Sequence, residues 1–359
     1  MTSLLDSKRV PTTTKTGPVS RALFLFFGLL FFIFTSACTP REDVWRLSGP
    51  TMGTRYHITV VNPSASVSEE ALQQAIEAEL AAVNREMSTY IADSELMLFN
   101  RGAVGEALPV SKHLADVVAL SLDIYRRSGG AFDITVGPLV NLWGFGPQAQ
   151  PETIPGDDEL AGLLQVLGSD ALQLTRKPDR LMRQRAVELD LSAIAKGHGV
   201  DRVAALLESR GIGNYLVEIG GELRTLGVNP SGGKWRIGIE KPVAAGSVVQ
   251  IPVEISGYAM ATSGDYRNYY ERDGVRYAHS IDPRNGRPLR HRLASVTVIA
   301  DSCAEADGLA TAFNVLGAEA ALEWAEREGI AVYMLVKTDN GFEPVASSAF
   351  QPFLERSKK

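Results

Sequence analysis

The stretch Glu188-Leu-Asp-Leu-Ser-Ala-Ile-Ala-Lys-Gly-His-Gly199 decides how this chain is read. Glu188 to Leu191 reads as a buried strand, and the backbone turns at Ser192-Ala193 into a helix over 194–209 that carries Lys196. Upstream, Ala171 to Leu174 with Ala186 to Leu191 suggests a hairpin. Farther out, Arg55 to Val61 alternates as a strand. Glu69 to Met87 repeats Leu72, Ile76, Leu80, Val83 and Met87 at helical spacing, so it reads as a helix with one apolar face. Further helices are expected at Leu114 to Arg127, ended by Gly129-Gly130, and at Leu160 to Leu167. A strand-rich region then runs to about residue 299, followed by helices near 303–316 and 318–327 and a strand at Ile330 to Val336. Strands and helices do not alternate strictly, which favours an α+β fold, one compact domain with mixed or antiparallel sheet, over a doubly wound one.

The first 37 residues stand apart. Lys8, Arg9, Lys15 and Arg21 precede an apolar run from Ala22 to Phe34, and Thr35-Ser-Ala-Cys38 follows. As a helix that run rises only about 20 Å, short of the hydrocarbon core of a bilayer. Residues 1–37 therefore read as an export signal of lipoprotein type with Cys38 the lipidated residue, although Thr35 stands where such signals usually carry Leu. Residues 38–47 read as a tether and 48–359 as the functional domain. The whole chain carries a formal charge of −6, and the leader removes four bases but one acid, so the exported part is more acidic still. That argues against nucleic acid as a partner. A lipidated Cys38 leaves Cys303 without a mate, so Cys303 is expected to pack as a small hydrophobe. The five His and two Cys show no zinc-ligand spacing.

On a helix, Ala306-Asp-Gly-Leu-Ala-Thr-Ala312 sets Asp307 and Thr311 one turn apart on one face. Two hard oxygen ligands so placed suit Mg²⁺, while an Asp near a helix start also serves as a cap or dipole partner. The chain lacks Gly-x-Gly-x-x-Gly and Walker loops, so a dinucleotide would be held otherwise. The start of the 194–209 helix offers free N–H groups and Lys196 as a pyrophosphate cradle, or Lys196 is simply solvated. Gly197 and Gly199 each cost about 1 kcal/mol inside a helix, which implies a close approach there. His198 between them reads as a packing or surface residue. Thr262-Ser-Gly264 either binds a phosphate or shapes a bend, and Asp265 and Arg267 follow it. Gln148 to Asp158 reads as a mobile loop.

In order and wording these segments resemble the ApbE family of flavin transferases. The resemblance also takes in Thr51-Met-Gly-Thr54, Gly130-Ala-Phe-Asp133, Val136-Gly-Pro-Leu139, the Leu-Trp-Gly-Phe-Gly run ending at Gly146, Glu218-Ile-Gly-Gly-Glu222 and His279-Ser-Ile-Asp-Pro283. It implies a T-fold-like domain and a Mg²⁺-dependent FAD:protein FMN transferase that joins FMN by a phosphoester to a threonine and releases AMP. The acceptor it implies is a subunit of a membrane respiratory complex, reached from a lipid anchor on the periplasmic side. Carried over residue by residue, Mg²⁺ would meet the Ala193 carbonyl, Asp307 and Thr311. FAD would meet Met52, Tyr90, Ala131, Phe132, Asp133, Asp190 and Lys196, with Met52 and Phe132 readable equally as core. Trp143 and Phe145 read as pocket wall. Taking the acceptor's proton calls for a base near neutrality, and His279 is best placed, with Asp282 behind it to orient its ring or stand in for it, or His279 is a structural residue bonded to that turn. Two other functions use the same residues: an FAD pyrophosphatase yielding FMN and AMP, and a lipid-tethered flavin-binding protein without turnover.

Overall fold

In the computed structural model, residues 43–63, 67–146, 153–241, 249–264, 269–272 and 274–356 are described. The leader, Cys38, residues 38–42 of the expected tether, residues 148–152 of the expected loop, Asp265 and Arg267 lie outside them.

Eight strands form one antiparallel sheet. In spatial order, which here is also chain order, they are β1 (Val44–Thr51), β2 (Thr54–Val61), β3 (Tyr215–Ile219), β4 (Glu222–Leu226), β5 (Ala259–Gly264), β6 (Leu293–Ala300), β7 (Ala331–Thr338) and β8 (Gly341–Ala346). The expected tether thus ends earlier than residue 47: strand pairing begins at Val44, because Leu47 is buried and its segment runs in register with β2. Met52 and Gly53, at φ 47° and 71°, close the first hairpin, the pair of positive angles that a two-residue primed turn requires.

The long helices are α1 (Glu69–Met87), α2 (Lys112–Arg127), α3 (Ala195–Ser209), α4 (Cys303–Leu316) and α5 (Ala318–Glu328). Their bounds fall within two residues of the expected ones. The shorter helix expected at 160–167 lies at Asp157–Leu164, where three acids occupy its first turn.

Successive residues of the central strands face opposite cores. Val296, Val298, Val332 and Met334 pack with α2 and α4 residues, whereas Ile299, Tyr333 and Leu335 pack with Phe350 and Phe353. With both faces covered, β6 is buried over seven of its eight residues, the near-continuous apolar strand that such coverage demands. The domain from Asp43 onward is a single compact α+β unit.

The hairpin after Ala171 differs from expectation. Leu172–Thr175 pairs with Arg180–Arg183, not with 186–191. The segment 188–191 forms no strand and joins no sheet. Asn100 substitutes for a neighbouring strand: its Oδ1 accepts from Leu189 N at 2.8 Å and its Nδ2 donates to Leu189 O at 2.9 Å. Asp190 N donates to Ile134 O at 2.7 Å, which lays this segment beside Ala131–Asp133. Thr262-Ser-Gly264 is not a bend but the end of β5, with the Thr262 and Thr297 hydroxyls 2.9 Å apart.

Candidate active site

Helix α4 is the hub of the site, and eleven of its fourteen residues are buried. A helix apolar on nearly every side must be enclosed, so its two buried polar side chains, Asp307 at 5% exposure and Asn314 at 1%, need partners inside the protein. Ser302 caps the helix, its Oγ accepting from Glu305 N. Asp201, reaching over from α3, accepts from the amides of Cys303 and Ala304 at 3.0 and 2.9 Å, which fixes α4 against α3. The two helices approach closely: a Cβ on Gly197 would lie 2.3 Å from Cys303 O, and one on Gly199 would meet Met52 Cε at 3.0 Å. This is the close approach that the two helical glycines imply. Cys303 is fully enclosed, its Sγ directed at Leu223 O.

Asp307 does not cap its own helix. Its Oδ2 accepts from Gly197 N at 3.0 Å, in the first turn of α3. The amide that would normally return to Ala193 O is thereby diverted, and no hydrogen bond among the described residues uses that carbonyl. Ile194, at φ −148°, breaks the helical path just before α3. The outcome is one unspent carbonyl, one buried carboxylate and, one turn on, the partly buried Thr311. Those are hard oxygen donors of the kind Mg²⁺ takes.

The α3 start is a poorer anion cradle than its sequence suggests. Among the first four amides, those of Ala195, Gly197 and His198 are taken by Leu191 O, Asp307 and Ile194 O. Nor is Lys196 a solvated surface lysine. Its Nζ lies 2.8 Å from Glu222 Oε2, in an ion contact off hydrogen-bond angles, and 3.8 Å from Asp307 Oδ2. Burial opposes the Lys196 charge, but Asp307 and Glu222 outweigh it and raise the ammonium's pKa. Glu222 is 4% exposed; burial and then Asp307 push its pKa up, against the Lys196 ammonium 2.8 Å away, which favours the carboxylate. Asp307 is raised also, burial outweighing Lys196 and the Gly197 amide. Two buried carboxylates share one ammonium.

The remaining expected ligand contacts divide into exposed and enclosed. Tyr90 is 75% exposed, an aromatic face open to solvent. Met52 is packed over Gly199 between the first hairpin and α3, and Ala131 and Phe132 are core side chains at 1% and 2% exposure. Asp133 holds a loop together: its Oδ1 accepts from Thr135 N, Thr135 Oγ1 and Ser169 Oγ, and its Oδ2 from Ser169 N. Asp190 accepts from Ser192 N at 2.8 Å and packs against Gly137, where a Cβ would come within 3.2 Å of its own.

His279 stands at the end of a ring ladder. Trp143 stacks on Tyr277, Tyr277 on Tyr270 and Tyr270 on Phe145, which meets the His279 ring in an edge-type contact with ring centroids 6.3 Å apart. Trp143 Nε1 donates to Gly286 O at 2.7 Å, which ties the wall to the 282–286 turn. Asp282 spends its oxygens within that turn. Arg284 Nε and Nη2 bind it at 2.9 and 2.8 Å, and Arg284 N and Asn285 Nδ2 add two further bonds. That geometry suits a turn anchor better than a second base. Asn314 Nδ2 donates to Ser280 Oγ, joining this loop to α4. Sequence reading passed over Glu222, Asp201, Asn100 and Asn314. Glu222 stood within a quoted segment, whereas the others carry no local pattern.

The chain matches the model of the ApbE family over residues 52–334. A Vibrio cholerae protein named FAD:protein FMN transferase is 47% identical over 330 residues, covering 92% of this chain and 98% of that one. Its Haemophilus influenzae namesake is 44% identical, over 89% and 94%. Among solved structures, a flavin transferase ApbE from Vibrio cholerae superposes with a TM-score of 0.81, at 47% identity over 87% of this chain and all of that one. The apo form of a Pseudomonas stutzeri flavinyl transferase ApbE gives 0.80, at 41% identity over 87% and 97%. Matched along nearly its whole described length in sequence and in fold, this chain belongs to the ApbE family.

Proposed function

We propose that the chain moves the FMN portion of FAD onto a protein acceptor, with Mg²⁺ seated by the Ala193 carbonyl, Asp307 and Thr311. The observation that carries this reading is Asp307, a buried carboxylate that shares one ammonium with Glu222, beside a carbonyl that its own bond to Gly197 leaves unspent. Seated there, Mg²⁺ would neutralise charge on the transferring phosphoryl group, which is most of what such a reaction asks of a protein. Lys196 adds a positive charge beside it. The exposed ring of Tyr90 gives a flavin or adenine a face to stack on, and Asp190 lies beside the 131–133 segment through its bond to Ile134.

The acceptor we propose is a threonine. Its Oγ bonds to the phosphorus on the FMN side, the anhydride bond to AMP breaks, and AMP leaves with the electron pair. The hydroxyl proton passes to His279, held by the ring ladder, while Asp282 shapes the turn behind it. Export, lipid attachment at Cys38 and a periplasmic position would bring the domain to threonines of membrane respiratory subunits. Mass spectrometry of the membrane fraction tests the anchor, since an unmodified Cys38 there would refute it.

Incubating the protein with FAD and Mg²⁺, with and without a threonine-bearing acceptor peptide, tests the activity. Transfer predicts an FMN adduct on the threonine and AMP released in step with it. AMP formed equally without acceptor would mean pyrophosphatase activity, and bound FAD with no AMP would mean a flavin carrier.

A further inference from the structure

Glu222 opens β4 directly after the Gly220-Gly221 turn, whose residues sit at φ 61° and 109°. A Cβ on Gly220 would lie 3.4 Å from Lys196 Cδ, so this turn packs on the lysine stem and delivers Glu222 to the ammonium. Glu222 Oε2 is buried, has no hydrogen bond among the described residues, and meets Lys196 Nζ at 2.8 Å. The same ammonium is 3.8 Å from Asp307 Oδ2. Lys196 therefore has two candidate anions and lies closer to the one outside the proposed metal seat.

We propose that Glu222 is a positioning residue that draws Lys196 away from Asp307 and so keeps that carboxylate open to a divalent cation. The inference rests on the metal seat described above. Without the charge on Glu222, Asp307 becomes the ammonium's remaining anion, and the flexible lysine stem needs to move only about an ångström to pair with it. An incoming cation would then have to displace Lys196 and would leave the buried cluster with excess positive charge.

The test is binding of Mn²⁺ to the full chain without FAD, followed by the electron paramagnetic resonance signal of the free ion, with a thermal melt of each variant. The wild type should bind at a site that Asp307→Ala abolishes. Glu222→Gln, nearly isosteric, should bind about 10-fold or more weakly, the step a lost charge partner produces. The double variant Glu222→Gln/Lys196→Met should return to within about 3-fold of wild type, since no ammonium is left to compete. Lys196→Met alone should bind at least as tightly as wild type, a readout that holds even if Glu222→Gln does not fold. Unchanged affinity in Glu222→Gln, a double variant as weak as the single one, or weakened binding in Lys196→Met would each overturn the role given to Glu222. A wild-type chain that binds no Mn²⁺ at Asp307 would overturn the metal seat and this inference with it.

Discussion

Asn314 Nδ2 donates to Ser280 Oγ at 3.2 Å, tying the helix that carries Asp307 and Thr311 to the residue beside His279. Asn314 is almost wholly enclosed, and its backbone carbonyl also accepts from His291 Nε2 at 2.7 Å. The proposed metal seat and the proposed base are thus linked through a single amide side chain.

Asn314→Ala should lower the transfer rate while leaving FAD affinity close to wild type, because the bond sets the His279 loop and not the flavin. A side-chain hydrogen bond contributes roughly 0.5–1.5 kcal/mol, so a loss of stability of about that size is expected. Ser280→Ala should give a similar rate, and the double variant should add little to either. Fully additive effects in that cycle would show that the two residues act separately.

Gly197 and Gly199 should respond oppositely to alanine, although both sit in α3. Alanine gains about 1 kcal/mol over glycine in a helix interior. At Gly197 the new Cβ would strike Cys303 O at 2.3 Å and Ala304 Cα at 2.9 Å, backbone that cannot yield without shifting α4. A net loss of about 1–3 kcal/mol is expected there, with weakened Mn²⁺ binding as Asp307 moves. At Gly199 the nearest atom is the mobile end of Met52, at 3.0 Å, so Gly199→Ala should be near neutral or slightly stabilising. Equal melting temperatures for the two variants would contradict this account.

His279→Asn should preserve FAD binding and slow transfer by the 10²- to 10⁴-fold typical of a lost general base. If FAD affinity falls together with the rate, the ring belongs to the binding surface. An unaffected rate would place the base elsewhere.

Local pattern made the frame of this fold legible. Amphipathic spacing located Glu69–Met87, and paired glycines located the end of α2, because each signal depends on neighbours in sequence. The segment 188–191 misled for a definite reason: its backbone partners are the side chain of Asn100 and the carbonyl of Ile134, neither of which leaves a trace in a strand pattern. In the site, Asp307 and Thr311 were visible as an i, i+4 pair on one helix. Glu222 was not, since its role comes from a charge cluster assembled by α3, α4 and β4. The same holds for Asp201, which caps a helix about a hundred residues away.

His198 makes the last test, one of stability. It lies on α3 beside the site, 9% exposed, with no hydrogen-bond partner for Nε2 among the described residues. Burial, then Arg202 and His113, push its pKa down to about 3, with Lys112 adding to the effect and Asp116 opposing it. The folded state therefore keeps this ring neutral where the unfolded chain, near 6.5, takes up a proton. Below pH 6.5 the unfolded state binds more protons, so stability falls as pH falls and is level above that value. The loss amounts to roughly 1.4 kcal/mol per pH unit, or about 2 kcal/mol at pH 5. His198→Gln removes the titration. Urea melts at pH 7 and pH 5 should show the wild type losing about 2 kcal/mol more than the variant over that interval. Equal losses in the two proteins would show that His198 takes up its proton within the folded state and contributes none of this pH dependence.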